Sequence, residues 1–98
     1  MTNIKFNYLY RDFGNYKQHG NVIFANHSNL LIEDIHDDIT KNLIDGEYFS
    51  ADKWSLPSCF FKTFTSDDHE WHEFQNLKFT DELATSAIDI HDFILKMQ

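Results

Sequence analysis

A chain of 98 residues is long enough for one domain with a modest core. Its ten Phe, four Tyr and two Trp argue against a disordered chain, which lacks the aromatic surface needed to offset chain entropy. Sixteen acids against eight bases give a formal charge of −8, which argues against binding to nucleic acid or anionic lipid and makes a basic surface the natural complement.

The bases, seven Lys and the single Arg11, never occur as a run of two, so there is no electrostatic footprint for DNA. Acid excess also serves solubility alone. Cys59 is the only cysteine, which excludes an internal disulfide or a multi-thiolate zinc site and fits a reducing, cytoplasmic setting. The first residues, Met1 to Phe6, lack the apolar core of a signal peptide, and no stretch approaches the ~20 apolar residues of a membrane helix.

Ile4, Phe6, Tyr8 and Tyr10 alternate with Lys5, Asn7 and Leu9, which predicts a strand with four large side chains on one face. Residues 11–20 mix turn formers with aromatics before the apolar run Val22 to Ala25, so a long-looped hairpin is expected, with the loop either partly strand or functional. Asn26, Ser28 and Asn29 are candidate caps, and Leu31, Ile32, Ile35, Ile39 and Leu43 follow helical spacing, predicting a helix over 29–43. Asp37 is spaced to pair with Lys41 on its outer face.

Asp45-Gly46 ends that helix, and residues 47–54 read as a third strand, broken by Pro57. Residues 59–64 are ambiguous between strand and helix. Trp71, His72, Phe74, Leu77 and Phe79 predict a fourth strand whose alternation slips once, as a bulge would make it. Thr85 or Ser86 is expected to cap a last helix carrying Ile90, Phe93, Ile94 and Met97. The expected fold over 1–98 is therefore α+β, a ββαββα two-layer sandwich with a largely antiparallel sheet and both helices on one face. Phe6, Tyr8, Val22, Phe24, Ile35, Ile39, Phe49, Phe74, Phe93 and Ile94 are the expected core.

Asp67-Asp68-His69-Glu70-Trp71-His72-Glu73 packs two imidazoles and four carboxylates into seven residues, so Asp67, His69 and His72 are candidate ligands for a divalent metal. On a strand, however, His69 and His72 point to opposite faces, and the segment lacks the HExxH pattern. The plainer reading is an acidic turn leading into a strand, with Trp71 and Phe74 in the core. Tyr10, Arg11 and Tyr16 put the sole arginine among aromatics at a strand end, a candidate clamp for a planar or anionic ligand. A surface pair between Arg11 and Asp12 accounts for the same residues.

Cys59 lies in a hydrophobic setting that blunts a thiol, and neither a glycine-rich phosphate loop nor a nucleophile elbow is present, so no catalytic signature is found. The stretches Tyr8 to Asp12, Leu43 to Phe49 and Asp68 to Phe74 resemble those of small uncharacterised bacterial proteins of about this length, a resemblance that implies no activity.

The leading expectation is a non-enzymatic interaction module, of inhibitor, immunity or adaptor type, that meets a basic protein surface. Glu33, Asp34, Asp37 and Asp38, joined by Asp67, Asp68 and Glu70, would supply the charge, with Trp71 or Trp54 as the aromatic anchor. The rival is a small-ligand or divalent-metal domain, open to a hydrolytic role, that combines the 67–72 segment with the Arg11 loop. A homodimer through an open sheet edge or face is compatible with both.

Overall fold

A computed structural model of the chain describes residues 2–11, 16–57 and 71–97. The protein is α+β, and its elements run β1 (Asn3–Arg11), β2 (Lys17–Phe24), α1 (Ile32–Lys41), β3 (Tyr48–Ser50), β4 (Trp71–Thr80) and α2 (Ile90–Met97). The four strands form one sheet in the order β2-β1-β4-β3, with every neighbouring pair antiparallel.

The alternation of β1 sets the faces of the sheet. Ile4, Phe6, Tyr8 and Tyr10 lie opposite Phe24, Val22, Gly20 and Gln18 on one side and Phe79, Leu77, Phe74 and His72 on the other. Between Asn7 and Tyr8 the register with β4 shifts by one, leaving Gln75 without a pairing partner. The bulge expected from the slipped alternation is therefore at Gln75, and it keeps both Phe74 and Leu77 on the Phe6 face. Ile35 and Ile39 of α1 and Ile90, Phe93 and Ile94 of α2 join the apolar cluster built on that face.

Phe6 is at the centre of the cluster. Its ring centroid lies 5.2–5.8 Å from those of Tyr8, Phe49, Phe74 and Phe93, with Trp54 at 6.4 Å. These tilted and edge-on contacts suit the quadrupoles of the rings.

Several boundaries differ from the sequence reading. β2 begins at Lys17, so part of the expected loop is strand, and its exposed half lacks the apolar alternation that marks a buried one. β3 ends at Ser50 instead of running to residue 54, because Trp54 N–H turns back to the Ser50 carbonyl and its indole stacks on Phe49 at 4.6 Å. Stacking buries the indole better than an extended chain, which would carry it past the core.

α1 starts at Ile32, three residues later than expected. Buried Asn26 accepts from the Leu30 amide and donates to the Leu30 carbonyl, forming a closed loop in place of a first helical turn. Asp89, rather than Thr85 or Ser86, stands at the start of α2 and accepts from the amides of His91 and His27. Thr85 instead pairs with the outer edge of β2, its Oγ1 and amide bonded to the Ile23 amide and carbonyl. A parallel bridge between Ala25 and Asp89 continues that cover.

Replacing Phe6 by Ala should cost about 3–5 kcal/mol in urea unfolding, as expected for an aromatic deleted from a packed core. Leu83→Ala, at an exposed site, should change stability by less than about 0.5 kcal/mol. Asn26→Ala strands both polar groups of Leu30 and should destabilise by about 1–3 kcal/mol in the same measurement.

Candidate functional site

α1 turns Ile35 and Ile39 into the core, which leaves Glu33, Asp34 and Asp37 exposed and Asp38 half-buried on its other faces. Four acids and one base make this ten-residue helix a dense run of negative charge among the described residues. Among the described residues none of the four acids is paired with a base, and the Asp37–Lys41 contact allowed by spacing is not formed. Glu33 and Asp37, with His36 between them, border a groove of about 360 Å³ between α1 and β4, and Ile32 and Leu77 supply its apolar wall.

Trp71 lies elsewhere. It pairs with Ser50 in the sheet while its neighbour His72 pairs with Phe49 and Tyr10, so Trp71 is half-buried on the face opposite the helices. Trp54 is buried against Phe49 and Phe6 and presents no anchor to solvent. The expected acidic patch and aromatic anchor therefore do not share one surface. Asp67, Asp68 and Glu70 lie outside the described residues.

The metal reading meets a similar division. His72 is fully buried, its ring centroid 5.3 Å from that of Tyr10 and 5.9 Å from those of Tyr8 and Phe49. The register of β1 places the imidazole, rather than the indole of Trp71, among the core aromatics, correcting the expectation of a core Trp71. Asp67 and His69 lie outside the described residues, as do Cys59 and the 59–64 stretch. Among the described residues no three His, Cys, Asp or Glu side chains are grouped as a metal site.

The three residues of the expected ligand clamp also diverge. Tyr10 is buried on the core face, Arg11 points from the other face by strand alternation, and Tyr16 is 71% exposed beyond the start of β2. Asp12 lies outside the described residues. Arg11 instead grips Glu73, with Nε 2.8 Å from Oε2 and Nη2 3.3 Å from Oε1. That two-point contact holds the guanidinium more firmly in its charged form. The Glu73 side chain is nearly buried, on the face that carries Lys5, Asn7 and Leu9 of β1.

Tyr48 faces Glu73 across the β3–β4 ladder. Its phenol is held above the usual 10.0, first by the Glu47 carboxylate, then by lost hydration and then by Glu73, with Arg11 opposing.

Comparison with known proteins yields no matching family model, curated protein or solved structure. Among the described residues no helix is long and apolar enough to cross a membrane.

The raised Tyr48 pKa gives a signed pH prediction. Above the usual phenol value the unfolded chain loses this proton before the folded one does, so stability should fall as pH rises through that window. Urea midpoints across the alkaline range should show this decline, and Tyr48→Phe should remove Tyr48's share of it.

Proposed function

We propose that the protein is a non-enzymatic interaction module whose α1 face receives basic side chains of a partner protein. The observation that carries the reading is that Glu33, Asp34 and Asp37 are exposed and unpaired among the described residues beside the Ile32–Leu77 groove. A Lys or Arg stem fits the apolar wall while its cation meets Glu33 and Asp37, the arrangement by which long basic side chains use both parts of their chemistry.

The partner is a protein with a basic surface, of the kind met by inhibitors, immunity proteins and adaptors. The scaffold under this reading is a ββαββα two-layer sandwich with both helices on one sheet face. It works in the cytoplasm, a setting that suits its lone Cys59.

A labelled alternating Lys-Ala peptide serves as probe. Neutralising α1 with Glu33→Gln, Asp34→Asn and Asp37→Asn should weaken its binding about tenfold and flatten the salt dependence. Neutralising Asp52, Asp81 and Asp92, which are also exposed, should weaken it less than about twofold. Equal losses in the two triple variants would mean that only net charge is sensed, and would refute an α1 site.

A further inference from the structure

A second, larger concavity lies away from α1, where α2, the turn after β3 and the segment leading into α2 come together, with a volume of about 470 Å³. This is within the range of small-molecule sites. Phe24 and Phe93, stacked at 4.5 Å, line it together with Trp54 and Leu56.

Two polar groups converge at its mouth. Lys96 Nζ donates to Ser55 Oγ at 3.3 Å, and among the described residues no carboxylate pairs with this ammonium. In a chain of net charge −8, a lysine beside an apolar hollow that, among the described residues, bonds a hydroxyl and no carboxylate is an unusual placement. Ser55 is held at φ 58, a left-handed conformation that non-glycine residues seldom adopt. Having accepted from Lys96, its hydroxyl retains a proton to donate outward.

We infer that this hollow binds a small monocarboxylate, its apolar body against Ala87 and Ile88 over the buried Phe24–Phe93 pair and its carboxylate held by Lys96 and Ser55. Among the described residues a single ammonium serves the site, which suits a monoanionic head group. That ammonium stands in the last turn of α2, where the helix dipole opposes additional negative charge. A phosphate or other polyanion would meet uncompensated repulsion from the acidic chain.

The test compares 4-phenylbutyrate with 4-phenylbutanol, which has the same body without the charge, by two-dimensional amide NMR on the full chain. The acid should give saturable shifts at the amides of Ser55, Ala87 and Lys96 and bind about tenfold more tightly than the alcohol, as a charge-assisted pair provides. Lys96→Met should bring the two ligands to parity, while Lys78→Ala should leave the difference intact. Equal binding of acid and alcohol to the unaltered protein, shifts centred elsewhere, or no shifts at millimolar ligand would each overturn the inference. The comparison on unaltered protein decides it even if a variant misfolds.

Discussion

Backbone hydrogen bonds between β1 and β4, interrupted once at Gln75, tie the early part of the chain to the late part. Without that interruption Phe74 and Leu77 would fall on opposite faces, and the sheet would present a broken apolar surface to the helices. With it, His72, Phe74, Leu77 and Phe79 all follow the Phe6 face, and α1 and α2 find one continuous surface to cover. The same register turns Glu73 to the opposite face, where Arg11 meets it. One unpaired residue thus fixes both the core and its polar reverse.

Charge is distributed in keeping with that division. On the reverse of the sheet, Lys5 is held by Glu82 and Arg11 by Glu73. The Asn7 amide donates to Asn76 there, and His19 Nδ1 lies 3.1 Å from Gln75 Oε1. Polar side chains on this face therefore largely answer one another. Among the described residues the acids of α1 have no such complement, so negative charge there is left uncompensated where the helix faces outward.

What the sequence made legible follows from periodicity. β1 and β4 could be read because a half-buried strand writes its environment into every second residue, and the expected core residues belong to the cluster or pack against it. The first half of β2 could not, because Lys17-Gln18-His19-Gly20 are exposed or half-exposed and their pairing resides in the backbone. The turn after Ser50 was hidden because Phe49 and Trp54 would look equally apolar in a strand, while only the folded core shows that their rings stack. Asn26 misled for a related reason, since a residue that caps helices can equally close its own loop. For function, sequence singled out the α1 acids as candidates, but did not show that Trp71 faces away from them. The concavity beside Lys96 draws on residues remote in the chain and leaves no local pattern to find.

The late cover over β2 also bears on how the chain reaches its fold. Asn7 and Asn76 are 69 residues apart, and Ile23 and Thr85 are 62 apart, so the sheet closes through contacts far longer in sequence than those of the β1–β2 hairpin. Loop closure over such spans costs entropy before it is rewarded, which slows folding relative to a locally wired domain. During synthesis the hairpin emerges before the segments that cover its two flanks, β4 on one side and the Thr85 segment on the other. Until those segments arrive, the open edges invite strands from other molecules. The speed of translation, and any chaperone that shields the hairpin in that interval, should therefore influence the yield of this protein more than its final stability would suggest.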